Sequence, residues 1–189
     1  MENERKREGA RRVALTGGIA CGKSLVAKML RELGCETLDA DDIVHELIPE
    51  EERMALAKVV FHDAAARKAL EARIHPQVEA RFDEWFAKPN KSGKIRIAVI
   101  PLIFEVHWEE KYDIICAVIS EEARAVERMM TSRGYSRDEA LSRIGAQMPV
   151  REKAKRSHYT IHNDGTVEKL ANEVAGFVSW LKKKEEGKK

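Results

Sequence analysis

At 189 residues the chain has the size of one domain, enough for a single hydrophobic core and too small for two. With 43% hydrophobic and 35% charged residues it is too apolar to stay disordered, and 34 Lys and Arg against 32 Asp and Glu leave a net charge of only +2, which excludes an overall polycationic binder. No apolar run is long enough to span a bilayer, and the polar start lacks the apolar core of a secretory signal, so a cytoplasmic protein with no membrane contact is expected. Cys21, Cys35 and Cys116 are odd in number and widely spaced, and read as reduced thiols, not as a disulfide framework or a zinc site.

In chain order, residues 1–12 read as a basic tail, followed by a short apolar run at Val13 to Thr16 that has the character of a buried strand. Gly17-Gly18-Ile19-Ala20-Cys21-Gly22-Lys23-Ser24 comes next and matches the pattern GxxxxGK[ST]. Leu25, Val26, Met29, Leu30 and Leu33 then make an apolar stripe at helical spacing. Strand, glycine loop and helix in that order form a phosphate cradle: Gly17 and Gly22 permit a tight backbone path, so that successive N–H groups converge on phosphate oxygens. Lys23 is placed to reach the β and γ phosphates, and the Ser24 hydroxyl to ligate Mg2+. Nucleoside triphosphate binding follows from this motif alone.

A second strand over Glu36 to Asp39 leads into Asp39-Ala40-Asp41-Asp42. If the strand continues, Asp39 and Asp41 share a face and point together toward the phosphate site, where Asp41 is a candidate general base; otherwise Asp41 or Asp42 caps the following helix. Residues 42–88 then read as a helical lobe, interrupted at His75-Pro76. Further strands are expected at Ile95 to Ile100, Asp113 to Ile119 and Tyr159 to Ile161. Between the last two, residues 121–157 form a helical, lid-like excursion with a capping-box spacing at Ser136 to Glu139. It carries Arg124, Arg128, Arg133, Arg137 and Arg143, either a solvated face or compensation for phosphate charge, with Arg133, just before Gly134, the favoured candidate. Val167, Leu170, Ala171, Val174, Val178 and Leu181 make a final amphipathic helix, and residues 182–189 a second basic tail. Alternation of strand and helix predicts an α/β fold with a parallel sheet covered on both faces, one domain over residues 13–181.

LTGGIACGKS, DADDIVHEL, FHD with LEARIHPQV, IPLIFE, IGAQM and IHNDG, in that order, resemble the dephospho-CoA kinase family over most of the chain. The resemblance implies ATP- and Mg2+-dependent phosphorylation of the ribose 3′-hydroxyl of dephospho-CoA, and a P-loop kinase-like five-stranded sheet of order 2-3-1-4-5. It implies Gly17, Gly18, Ile19, Ala20, Cys21, Gly22, Lys23, Ser24 and Leu25 as the ATP cradle, Asn163 near the adenine, and Asp41, Lys23 and Arg133 as the catalytic group. Asp39, Asp41, Arg53, His75, Leu102 and Glu105 fall on the acceptor side. A monomer or small homo-oligomer acting on a small molecule, with no nucleic acid partner, is expected.

The chain departs from the family in a short acceptor lobe, with only Ile-Pro-Glu-Glu-Glu between Leu47 and Arg53, and in His158 and His162, where aspartates are more usual. Arg128 and Arg133 are five apart where many relatives have four. Cys21, in a position where serine or glycine is more usual, reads either as a small tolerated side chain or as a redox-sensitive point. Two rival readings are another small-molecule P-loop kinase and a nucleotide-binding protein without catalysis; a GTPase is disfavoured by the lack of an NKxD-like motif.

Overall fold

The computed structural model of the protein describes residues 11–52, 63–90 and 92–186. Five strands, β1 (Val13–Gly17), β2 (Glu36–Asp39), β3 (Arg96–Val99), β4 (Ile114–Ile119) and β5 (Tyr159–His162), form one parallel sheet in the order β2-β3-β1-β4-β5. This is the expected order. Leu15 sits between Val99 on one neighbour and Cys116 on the other, and Asp39 lies beside Val99. All five carboxyl ends therefore reach the same edge, where crossover loops gather functional groups.

Seven α-helices are described: α1 (Lys23–Glu32), α2 (Ala40–Leu47), α3 (Ala64–Ala87), α4 (Glu122–Arg133), α5 (Arg137–Gly145), α6 (Val150–Arg156) and α7 (Val167–Glu186). Because strand side chains alternate, the central strands feed two separate cores. Val13, Leu15, Ile97, Val99, Cys116 and Val118 pack with Val26 and Leu30 of α1 and Val174, Phe177 and Val178 of α7. Ala14, Ala98 and Ile115 face the other way, toward Ile43 of α2 and Ile74, Val78 and Phe82 of α3. A small third cluster, Val126, Met129 and Ala140, joins α4 to α5 beneath Ile19 and Ala20.

The expected helical stripes are narrower in the fold. Leu25 and Leu33 at the ends of the first are exposed, as is Val167 in the second, while Phe177 is fully buried. The predicted break at His75-Pro76 does not occur, since α3 runs unbroken through Pro76. Ile74, Val78 and Phe82 anchor it on both sides of the proline, and the Gln77 side-chain amide donates to the Arg73 carbonyl (2.9 Å). Tertiary burial thus outweighs the ~3 kcal/mol that an interior proline costs a helix.

Of the two expected tails, residues 11–12 and 182–186 are described. Arg12 donates to Asp83 (2.6 Å) and lies over the Phe86 ring, while α7 continues through Lys182 to Glu186. Lys, Glu and Leu favour helix continuation, and Lys184 stacks its ammonium over Trp180. The capping box at Ser136 is present, with Glu139 reciprocating, and holds the Glu139 carboxyl below its usual range through the backbone and side-chain hydrogen bonds of Ser136. His158 stitches the β4 edge: its backbone N–H donates to the Ile115 carbonyl (2.8 Å) and its ring Nδ1 accepts from the Ile115 N–H (3.0 Å). Among the described residues, no helix is long and apolar enough to cross a membrane.

Candidate active site

Between β1 and α1 the chain turns through Gly17 (φ 147°), Ala20 (φ 56°) and Gly22 (φ 94°). At two of these positions glycine is dictated by space as well as by torsion. A Cβ on Gly17 would lie 2.2 Å from the Val118 carbonyl oxygen, and one on Gly22 would lie 2.2 Å from Asn163 Nδ2. Gly22 begins α1 with no side-chain cap, and the first turn of α1 has no acidic residue. Among the described residues the N–H groups there meet no capping side chain, an arrangement that fits a bound phosphate.

Lys23, the first residue of α1, folds its side chain back so that Nζ donates to the carbonyls of Gly17 (3.1 Å) and Gly18 (2.8 Å). Burial pushes its ammonium down to about 8, with the nearby Lys153 charge adding to the shift and Asp41 and Asp39 opposing it. Asn163, at the end of β5, is buried and donates its side-chain amide to the Cys21 carbonyl (2.9 Å). Arg128 of α4 closes the same loop, donating to the Ala20 carbonyl (3.2 Å) and the Asn163 carbonyl (2.9 Å). Cys21 is buried, with its Sγ 3.5 Å from Ser120 Oγ.

The strand reading of the acidic segment does not hold. β2 stops at Asp39, whose carboxylate accepts the Asp41 N–H (3.0 Å) as the N-cap of α2, so Asp41 stands in the first helical turn. Asp39 therefore does the capping that the sequence offered to Asp41 or Asp42. Burial raises the Asp39 carboxyl above its ordinary range, with the Asp41 N–H and Lys23 opposing and the charges of Asp41 and Asp42 adding to the rise.

A cleft of about 600 Å³ opens at this edge of the sheet. It is lined by Ile19, Ala20, Gly22, Lys23 and Ser24 of the loop, Asp41 and Val44 of α2, His75 and Val78 of α3, and Pro101, Leu102 and Trp108 of the turn after β3, with Arg128 and Arg133 of α4 on the far side. His75 is half-buried and meets the Trp108 ring edge-on at 5.7 Å.

Phosphate loop, acidic residue, histidine and lid arginine therefore face one space. Asp39, Asn163 and Glu105 are not among the residues lining it, nor are Gly17, Gly18, Cys21 and Leu25. Glu105 turns away from the cleft: its Oε1 accepts from Met148 N–H (3.0 Å) and pairs with Lys153 Nζ (2.7 Å). Arg53 lies outside the described residues.

Three residues near the cleft carry little signal in the sequence. Arg128 was one of five lid arginines, and only the fold shows that its guanidinium bridges two backbone segments. Gln147 carried no signal beyond the IGAQM string. Lys153 sits in a run of charges, REKAKR, yet is fully buried. The available signal was its place three residues after Val150, on the less exposed side of α6 with Ala154.

Comparison with known proteins narrows the chemistry. The family model described as dephospho-CoA kinase matches residues 11–54 and 50–169, two pieces that overlap at residues 50–54. A dephospho-CoA kinase of Geobacter sulfurreducens is 33% identical over 90% of this chain and 98% of its own length, and one of Thermus thermophilus is 34% identical over 89% and 91%. A crystal structure from Thermus thermophilus, 33% identical, superposes with a TM-score of 0.78 over 92% of this chain and 99% of that one. A shikimate kinase of Acinetobacter baumannii, 14% identical, shares only the fold (TM-score 0.61, covering 94% of this chain and 96% of that one). The family-model match from residue 11 to residue 169, with relatives 33% and 34% identical over about nine-tenths of the chain, makes this chain a member of the dephospho-CoA kinase family.

Proposed function

We propose that the protein transfers the γ-phosphoryl group of ATP to the ribose 3′-hydroxyl of dephospho-CoA, and that the reaction takes place in the cleft between the phosphate loop and α2. The observation that carries this reading is the meeting of Lys23, Ser24, Asp41 and Arg133 around one cavity in a chain of this family.

The uncapped start of α1 and the N–H groups of the loop from Gly17 to Ser24 would hold the ATP phosphates, with Asn163 and Leu25 on the nucleotide side. Ser24, exposed to the cleft, would hold Mg2+, which when bound neutralises charge between the β and γ phosphates. Among the described residues no group of three or more His, Cys, Asp or Glu side chains could hold a metal ion.

Lys23 supplies positive charge where the transferred group passes. Asp41 accepts the proton of the acceptor hydroxyl and holds that oxygen in line. Arg133, exposed at the cleft rim, meets the transferred group from the lid side, while Arg128 holds the loop in shape. His75, Leu102 and Trp108 offer an edge-on aromatic and apolar wall for the acceptor nucleotide. Asp39 acts on this group through α2, as the cap that sets the direction of Asp41.

Purified protein incubated with ATP, Mg2+ and dephospho-CoA should yield ADP and one new phosphate on the ribose 3′ position, located by phosphorus NMR. A phosphate at any other position, or none, contradicts the proposal.

A further inference from the structure

One buried ammonium joins three segments around the cleft. Lys153 lies in α6 between exposed neighbours Glu152 and Lys155, yet its own side chain is 0% exposed. Its Nζ donates to the Pro101 carbonyl (2.8 Å) and pairs with Glu105 Oε1 (2.7 Å). The Pro101 carbonyl also accepts from Thr16 Oγ1 (3.1 Å), which stands immediately before Gly17 of the phosphate loop. Glu105 Oε1 also accepts from the N–H of Met148, next to Gln147 in the return from the lid. From this one cation, ties therefore run to the strand that feeds the phosphate loop, to the turn after β3, and to the α5–α6 link. Pro101, Leu102, Val106 and Trp108 of that turn line the cleft, and so does Gln147.

Stability alone does not account for such a pair. Taking both charges out of water costs free energy that their attraction often fails to return, and well-packed apolar residues in their place are frequently at least as stable. The arrangement is also incompletely satisfied, since among the described residues neither Glu105 Oε2 nor Gln147 Oε1, both buried, has a hydrogen-bond partner. What the pair does supply is fixed geometry, because a short, doubly bonded ammonium and a doubly accepting carboxylate oxygen leave the turn after β3 little freedom relative to the loop.

We propose that Lys153 is a positioning residue for the acceptor: by gripping the Pro101 carbonyl and Glu105 together, it holds the acceptor wall of the cleft at a fixed distance from the phosphate loop. This rests on the reading that dephospho-CoA occupies the side of the cleft formed by Asp41, His75 and Leu102.

The test is steady-state kinetics in both substrates, with thermal melts, on the parent, on the double variant Lys153→Met with Glu105→Leu, and on Glu105→Gln. The double variant should melt no lower than the parent. Its KM for dephospho-CoA should rise about tenfold or more and its kcat fall, while its KM for ATP stays within about twofold. Glu105→Gln keeps an oxygen for Lys153 and for the Met148 N–H, and should recover most of the acceptor affinity.

Parent-like KM values for both substrates would overturn the proposal. A double variant that fails to fold, or one with a lowered melting temperature and both KM values rising together, would reduce the pair to a structural role and overturn it equally. A parent enzyme that does not phosphorylate dephospho-CoA at all would instead remove the reading of the site on which the proposal stands.

Discussion

In the proposed reaction Asp41 and Lys23 divide the chemistry through their surroundings. Asp41 is exposed at the cleft, free to meet an acceptor, whereas Lys23 is held among backbone carbonyls. Asp41→Asn should lower kcat by roughly 10²- to 10⁴-fold, the usual contribution of a general base, with the ATP dissociation constant unchanged. A loss of ATP binding of similar size would place Asp41 on the nucleotide instead. With Lys23 lowered by burial to about 8, the empty protein carries it largely neutral at pH 9. The cost of burying its charge is complete below about pH 8 and fades as pH rises toward the ordinary 10.5, so this group favours the empty fold at higher pH. Phosphates return the charge, so ATP binding at pH 9 should take up close to one proton. Calorimetry in two buffers of different ionisation enthalpy measures this, and the uptake should vanish in Lys23→Met. At this scale the sequence named the groups that a local motif defines. It could not single out Arg128 or Lys153, because their roles depend on backbone carbonyls brought close only by the folded chain.

At the scale of elements, the joint between β2 and α2 decides where the acidic group points. The reading of Asp39 and Asp41 as strand partners fails because a carboxylate that caps its own helix ends the strand at that residue. Asp39→Ala should cost about 1 kcal/mol of stability and reduce kcat as well, since the first turn that carries Asp41 loses its anchor. Asp39→Asn, which can cap equally well, should keep the melting temperature and most of the turnover. Equal losses in both variants would mean that the charge of Asp39, not its capping bond, matters. The capping box at Ser136 was legible because its signal is complete within four residues, whereas the continuity of α3 through Pro76 was not, because it depends on Ile74, Val78 and Phe82 finding a core. Phe82→Ala should accordingly destabilise the protein by about 3 to 5 kcal/mol and loosen the lobe that carries His75, as urea unfolding would show.

In the whole molecule, strand alternation foretold the α/β class, and family resemblance supplied the strand order, which the hydrogen-bonded neighbours match. The parallel sheet brings the loop after β1, the cap after β2 and the turn after β3 to one edge. Residues from Ile19 to Gln147, far apart in sequence, thereby enclose a single cleft. Fold alone does not choose the acceptor, since shikimate kinases share it at 14% identity. On the proposed reading the choice lies in the wall from His75 to Trp108, and in how it is held. The most direct measurement is kcat/KM for ADP release with Mg2+-ATP and each member of a panel: dephospho-CoA, adenosine, AMP, shikimate and gluconate. A value for dephospho-CoA at least about a thousandfold above every other acceptor is predicted, a margin within reach of a site that pairs polar groups with its substrate. Comparable values for any other acceptor, or no turnover of dephospho-CoA, would contradict the account.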